Sequence, residues 1–445
     1  MTAITRNDAP AVLALAAIDD LEQRYQALLQ GRSTDSAPWL AAQLQRAAQL
    51  TDDLPDDPAL LDDWLAQHAA SVAAEHARYL EQRRQGGTRR YFANRSQALW
   101  FVQQVAPTKV VDGAWLQGTL RHWRDPRYHG LIRTFLEELG DGDPRCNHVL
   151  IYQRLLSRLG CLEGMPLDST RYEQGALQLA LGQNSEAFLA EVIGYNLGYE
   201  QPPLHLLITA HELAELGIDS HYFQLHVTID NAASGHARRA VASLRQLLPE
   251  HGGAAFYQRV RLGYRLNDLG VDTPALIASF DLEGELLTAL ERKKAFGRFM
   301  HSDRCRLQGR TINQWLSEST GMPEFLQALQ AQGWVRRGEA PANSRLWRLI
   351  DGPSAAMFGV FNAYEKQLWH DWIANDWQGP AIHRVAPGQW EAALALKDET
   401  DTPSQSLQID SLIAAMTGNR HALPAGLQAT RDYIRAIGLA QGGLH

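Results

Sequence analysis

The chain has 445 residues, of which 45% are hydrophobic and 21% charged, and its formal net charge is −8. These values are typical of a soluble globular protein with two or three domains, and the negative charge argues against a nucleic-acid partner. No run of about 18 apolar residues predicts a membrane span, and the acidic residues near the start disfavour a signal peptide. We therefore expect a cytoplasmic protein with neither a nucleic-acid nor a membrane partner.

The spacing of apolar residues predicts that the first 300 residues are mostly helical. Apolar residues recur at three- and four-residue spacing in 10–30 and 55–84, which indicates a helical N-terminal region over 1–90. A Gly-Gly break with basic flanks at 84–90 sets the first boundary. The segment 91–300 then predicts long helices with short, punctuated joints, and we take it as the core.

One of these joints brings two polar residues together. The stretch "LEELGDGDPRCNH" (136–148) predicts a helix end, a glycine-rich turn and a new helix, with Asp143 as its cap and Pro144 at its first position. Glu138 ends the first helix and His148 lies in the second. A tight turn can bring these two side chains to one point.

The segment 301–445 has a different character and predicts a C-terminal extension. Short helices dominate, and "GWVRRGEAPANSRLWRLIDG" (333–352) alternates enough to predict a small β-hairpin. The fold class is therefore mainly α. We interpret the tryptophans of this region as packing or dimer contacts, and the added terminal helices predict a homodimer.

The stretch "FQLHVTIDNAASGHARRAV" (223–241) places two imidazoles and a carboxylate in an otherwise apolar and small-residue run. His226 and Asp230 are four residues apart, so they share one face of a helix and suit a metal. His236 faces elsewhere unless the helix bends near Gly235. The alternative is a core hydrogen bond between His226 and Asp230.

Further acidic residues lie in apolar settings on other segments. Asp112 follows a proline turn, and Glu191 lies in an apolar helix with Glu200 as the rival acid. Carboxylate and imidazole ligands without thiolate suit iron or manganese better than structural zinc. The sequence contains no Glu-x-x-His, which excludes the ligand pattern of ferritin-like di-iron bundles.

Four motifs, "VDGAWL", "EELGDGDPRCNH", "AEVIGYNLGYE" and "YFQLHVTIDNAASGH", resemble the haem-oxygenase-like di-iron oxidases, also known as iron-containing redox enzymes. The resemblance covers about 90–300 and implies a haem-oxygenase-like helical bundle with extensions at both ends. It implies the metal ligands Asp112, Glu138, His148, Glu191, His226, Asp230 and His236. The departure is at the last histidine: better-known members place it three residues after the aspartate, where this chain has Ala233.

The resemblance implies an O2-dependent non-haem di-iron oxidoreductase. Two Fe(II) ions, or manganese, would be the metals and O2 the co-substrate. The substrate would be a small metabolite, an amino acid or a derivative of one, that undergoes N-oxygenation, desaturation or C–C cleavage in specialised metabolism. Alternatives are a fatty-acid-oxidising member of the family, a thiaminase-like enzyme of the same fold, and a metal-deficient helical scaffold or partner protein, which Ala233 keeps open.

Supporting residues are expected around such a site. Tyr222 and Asn231 are close enough in sequence to orient the histidines. Arg133 and Arg238 are candidates, by proximity, for binding a substrate carboxylate.

Overall fold

The computed structural model describes residues 21–33, 35–161, 167–229, 235–302, 304–317, 321–352, 355–357, 359–377, 379 and 409–438. Asp230, Asn231 and Ala233 lie outside the described residues. None of the helices in the described ranges is long and apolar enough to cross a membrane.

The part before residue 300 is helical, as its periodicity predicts. Its α-helices are α1 Leu21–Leu29, α2 Ser36–Ala47, α3 Leu61–Arg84, α4 Arg95–Gln104, α5 Ala106–Lys109, α6 His129–Glu138, α7 His148–Arg158, α8 Glu173–Gln183, α9 Leu189–Tyr199, α10 Leu204–Glu215, α11 His221–Ile229, α12 His236–Leu247, α13 Ala254–Arg265, α14 Thr273–Ala278 and α15 Leu282–Gly297. Short 3-10 helices are Pro58–Leu60, Ala114–His122, Pro126–Tyr128, Gly140–Gly142, Ser169–Tyr172 and Leu266–Asp268.

The later part combines short helices with one hairpin. It contains β1 Arg306–Leu307, β2 Arg310–Thr311, α16 Ile312–Ser317, α17 Met322–Ala331, α18 Arg345–Ile350, α19 Ala363–Ala374, α20 Ile409–Ala415 and α21 Pro424–Ile437, with 3-10 turns at Pro341–Asn343 and Arg420–Ala422. This composition confirms the prediction of a mainly α, haem-oxygenase-like helical fold.

The hairpin lies at a different place from the predicted one. Its strands pair antiparallel across Gln308 and Gly309, which both have positive φ, the conformation that two-residue hairpin turns require. The prediction of a hairpin over 333–352 was wrong. There Leu346 and Ile350, four residues apart, bury one face of α18, so the apolar spacing was helical.

The two larger of three hydrophobic clusters in the described ranges form most of the interior. The first joins α2, α3, α6, α8, α9, α12 and α13 with α20 and α21 from the end of the chain. The second joins α4, α7, α10, α11, α14 and α15 with 307–373. The segment after residue 300 therefore contributes to both clusters, and its last described helices pack into the same cluster as α6 and α9.

The tryptophans of this segment take part in that packing. Trp369 and Trp372 are each 1% exposed and pack against each other, with ring centroids 5.7 Å apart. Packing, one of the two roles expected for them, accounts for both side chains.

The joint between α6 and α7 differs from the prediction at one point. The glycine turn forms as expected, with positive φ at Gly140 and Gly142. However, α7 begins at His148, where the Asn147 side chain accepts a hydrogen bond from the Leu150 amide. Asn147, and not Asp143, is therefore the cap. Because the helix starts four residues later than predicted, His148 occupies its first position.

Candidate metal centre

Six buried side chains form two adjoining groups of ligand atoms. Within each group, the ligand atoms all lie within 4.8 Å of one another. The first group comprises Asp112, Glu138, His148 and His226, and the second comprises Glu138, Glu200 and His236. Glu138 belongs to both. The carboxylate of Glu138 therefore connects the two groups of ligand atoms.

The groups lie where the two hydrophobic clusters meet. Glu138, Glu200 and His236 lie on or next to α6, α9 and α12, whose apolar side chains belong to the first cluster. His148 and His226 come from α7 and α11, which pack in the second. The side chains of the six residues are at most 9% exposed, so bulk water is excluded from the site.

Asp112 reaches the site because the chain turns sharply behind it. Gly113 has a φ of +80°, and a Cβ at this position would lie 2.9 Å from the Cβ of Glu138. Only glycine adopts this φ without strain and leaves room for the neighbouring glutamate. Gly113 therefore allows Asp112 and Glu138 to approach each other from different segments.

Glu138 and His148 meet across the predicted joint. Nδ1 of His148 lies 2.5 Å from Oε2 of Glu138 and 3.7 Å from Oδ2 of Asp112. Asn147 holds the geometry, because its amide also lies 3.3 Å from the carbonyl oxygen of Leu139. Asn147, which precedes His148, is thus hydrogen-bonded to Leu139, which follows Glu138.

Glu200, and not Glu191, lies in the second group. Both oxygens of Glu191 accept hydrogen bonds from Arg259 on α13, each at 2.7 Å. The two glutamates are nine residues apart, about half a turn out of phase on one helix. Since Glu191 shares its face with Gly194, which packs against the α13 backbone, Glu200 faces the other way. Glu200 therefore replaces Glu191 as the candidate metal ligand from this segment.

The spacing of small residues along α9 already indicated in the sequence that Glu191 faces another helix. Gly194 and Gly198 lie three and seven residues after Glu191, on the same helical face. Small residues on one face indicate close contact with another helix, which excludes a metal site on that face.

His236 joins the second group at the first position of a new helix. α11 ends at Ile229, and α12 begins at His236 with Gly235 as its extended N-cap. Nδ1 of His236 lies 2.8 Å from Oε2 of Glu200 and 3.4 Å from Oε1 of Glu138. The predicted partner of His226, Asp230, lies outside the described residues.

Glu137 fixes the orientation of the His236 ring. Its Oε2 lies 2.8 Å from Nε2 of His236, while Arg239 pairs with the same carboxylate and Arg133 Nε lies 3.2 Å from Oε1. A carboxylate on one ring nitrogen leaves the other nitrogen for a metal. Sequence reasoning missed Glu137, although it precedes Glu138 directly. Arg133, a candidate for substrate binding, is occupied with Glu137 and Asp141.

Tyr222 performs a similar role for Asp112. Its hydroxyl donates a hydrogen bond of 2.6 Å to Oδ2 of Asp112, and its ring packs edge-on against His148 and His226. Nε2 of His226 lies 3.4 Å from the same oxygen. Tyr222, expected to orient a histidine, therefore orients the aspartate through its hydroxyl and packs against the histidines through its ring.

The electrostatics of the site combine burial with close opposite charges. Burial raises the pKa of Asp112, but His148, His226 and Lys109 outweigh it and hold that pKa well below its usual range. Burial lowers the pKa of His148, yet Glu138 and Asp112 raise it to about 10. The carboxylates of Asp112 and Glu138 are therefore ionised, and the proton on His148 occupies a position that a metal ion can take.

The donor atoms fit metal ions. Several buried ligand atoms form no well-aligned hydrogen bond within the described residues, although charged neighbours lie close to some of them: Asp112 Oδ1, both carboxylate oxygens of Glu138, His148 Nδ1, Glu200 Oε1 and His226 Nε2. Unsatisfied buried polar atoms are costly, so their convergence indicates a missing ligand. Nitrogen and oxygen donors without thiolate suit iron or manganese.

Two further polar residues near the site were not anticipated. Lys109 ends α5 and donates a hydrogen bond of 2.9 Å to the Tyr199 hydroxyl. His421 comes from the C-terminal 3-10 turn, is fully buried, and accepts a hydrogen bond of 3.0 Å from the Asn147 amide. A lone lysine in the apolar run "APTKVV" was a signal for the first, whereas no local pattern indicated the second.

Fold and site together define a helical protein with a buried carboxylate–histidine centre suited to redox-active metals. Residues 99–268 match the model of the family described as iron-containing redox enzyme. The match confirms the predicted resemblance for this segment, which contains all six ligand candidates. No curated protein and no solved structure matches the chain. The match to this model supports the assignment of the protein to the oxidoreductases that contain iron.

Proposed function

We propose that the protein is a non-haem di-iron oxidase that uses O2 to oxidise a small metabolite. The observation that carries the proposal is the position of Glu138, whose carboxylate belongs to both groups of ligand atoms. One group offers two carboxylates and two histidines, and the other adds Glu200 and His236. Such a set suits two ions that share one carboxylate.

Iron bound at this centre would supply the electrons that activate O2. The protein's own residues hold the ligands in place. Tyr222 orients Asp112, Glu137 orients His236, and the apolar helices exclude bulk water. The substrate class, an amino acid or a metabolite derived from one, follows from the family resemblance and is part of the proposal.

Iron counting tests the proposal and separates the two candidate glutamates. The protein is reconstituted anaerobically with ferrous iron, freed of excess iron, and analysed for iron per chain. We expect about two ions in the wild type, about one in Glu200→Gln, and about two in Glu191→Gln. Addition of O2 to the loaded wild type should then change its visible absorption.

The paired variants make the result specific. Both glutamates are buried and adjoin the same helix, so a general loss of stability would affect the two variants alike; thermal melting of each checks this. Iron near zero in the wild type would reject the proposal. Equal iron loss in the two variants at unchanged melting temperature would reject the assignment of Glu200.

A further inference from the structure

Lys109 is a cation beside the metal centre that has no ion-pair partner among the described residues. Its ammonium donates to the Tyr199 hydroxyl and lies over the rings of Tyr199 and Tyr222, with centroid distances of 5.0 and 5.8 Å. Within the part of the chain that the structure describes, no carboxylate forms an ion pair with it. An enclosed ammonium that relies on one hydroxyl and two ring faces is incompletely satisfied.

The metal-loaded state makes this imbalance larger. Asp112, Glu138 and Glu200 are close enough to raise the pKa of Lys109, although burial outweighs them and lowers it. Once divalent ions bind these carboxylates, their negative charge no longer compensates the lysine. The ammonium is then a positive charge next to further positive charges, and an anion at this point becomes favourable.

A second, independent observation lies on the other side of Tyr199. Gln178 on α8 is fully buried, and neither its amide nitrogen nor its amide oxygen has a hydrogen-bond partner among the described residues. The amide lies beside the hydroxyls of Tyr195 and Tyr199. Its NH2 group faces these hydroxyls without a well-aligned hydrogen bond, close to the hydroxyl that Lys109 contacts.

The surroundings suit an organic acid more than an inorganic anion. Trp115 packs on Tyr195 and Tyr199 at centroid distances of 5.6 and 4.5 Å, and Tyr222 adds a further ring. These rings make the immediate surroundings of the ammonium apolar and aromatic. Tyr222 also donates to Asp112, so the lysine and the first group of ligands contact the same ring.

We propose that Lys109, assisted by Gln178, binds the carboxylate of the substrate and places its carbon skeleton beside the first group of metal ligands. The inference rests on the proposed function, because the binding site serves that same centre. It replaces Arg133, which is already paired with Glu137 and Asp141. The substrate class is a small carboxylic acid with an apolar or aromatic side chain.

Matched acids and amides test this inference. Manganese-loaded protein, chosen so that O2 does not consume the probe, is titrated calorimetrically with phenylacetate, hexanoate and L-phenylalanine and with their three amides. We expect at least one acid to bind about tenfold tighter than its amide. Lys109→Met should lower the affinity for the acid to that for the amide and leave the amide unchanged.

Control variants separate charge from folding. Lys109→Arg should keep the preference for the acid within about threefold, since it retains the charge. Lys366→Met removes a lysine of α19 that pairs with Asp351, and this variant should behave as wild type. Metal content and melting temperature of Lys109→Met should match the wild type.

The outcomes distinguish this inference from the proposed function. Equal binding of acid and amide by the wild type, or a preference that survives in Lys109→Met, would overturn the role of Lys109 while the metal centre stands. A protein that takes up no metal overturns the proposed function. A Lys109-dependent preference for the acid in that metal-free protein would still support the anion site.

Discussion

Oε1 of Glu138 lies 3.4 Å from Nδ1 of His236, while Oε2 of the same carboxylate lies 2.5 Å from Nδ1 of His148. The three residues belong to three helices, and two of those helices begin at the histidine concerned. One carboxylate between two histidines gives the centre its two-sided form. Glu138 is therefore the residue whose loss should affect both ion positions.

Substitution of Glu138 should remove more iron than substitution of any residue that belongs to one group only. We expect Glu138→Ala to reduce bound iron from about two ions to well below one, because both positions lose a ligand. Metal analysis after anaerobic reconstitution measures this. His226→Ala, which affects the first group alone, is the comparison, and equal iron in the two variants would contradict the shared role.

Glu137 should act on the second ion position through His236. Glu137→Gln keeps the shape but replaces the carboxylate that accepts from Nε2, so we expect iron affinity at the second position to fall about 10- to 100-fold. The first position should keep its affinity. Competition with a chelator measures both affinities. A uniform loss at both positions would indicate a folding defect instead.

Gly113 should be intolerant of a side chain for two separable reasons. Gly113→Ala strains a φ of +80° and also places a methyl group 2.9 Å from Glu138. Gly86→Ala is the matched control, since it has a φ of +87° and no atom within 4 Å of the added Cβ. We expect about 1 kcal/mol of destabilisation from strain in both variants, and weaker iron binding only in Gly113→Ala.

His421 and Asn147 should be energetically coupled. Asn147 caps α7 and donates to Nδ1 of His421, so Asn147→Ala should cost about 1–2 kcal/mol of unfolding free energy. A double-mutant cycle with His421→Ala should give a coupling of about 0.5–3 kcal/mol. Denaturant unfolding of the four proteins measures this. Strictly additive effects would show that the hydrogen bond contributes nothing.

The same histidine predicts a pH dependence for the metal-free protein. Burial lowers the pKa of His421 to about 4, so between about pH 6.5 and 4 the unfolded chain binds a proton that the folded chain does not. The free energy of unfolding should therefore be highest above pH 6.5. It should fall by up to about 3 kcal/mol as the pH falls towards 4, because of His421. His421→Gln should lose stability less steeply over this range. Identical slopes in denaturant unfolding would contradict it.

Local patterns predicted a large part of the site. The spacing of apolar residues indicated the helices, and the glycine turn indicated that Glu138 and His148 can meet. The isolated polar residues of 223–241 indicated His226, and included His236 only if the helix bends near Gly235. These inferences succeed because helix periodicity and turn chemistry act over a few residues. The ligand types likewise limited the metal to a few candidates.

Long-range packing determined the remainder. The rotation of α9 against α13 turned Glu191 to Arg259 and left Glu200 for the centre. Lys109 contacts the rings of Tyr199 and Tyr222, and His421 contacts Asn147. Each of these contacts joins segments that are distant in sequence. A helix pattern states which residues share a face, but the partner of that face depends on how all the helices bury their apolar surface together.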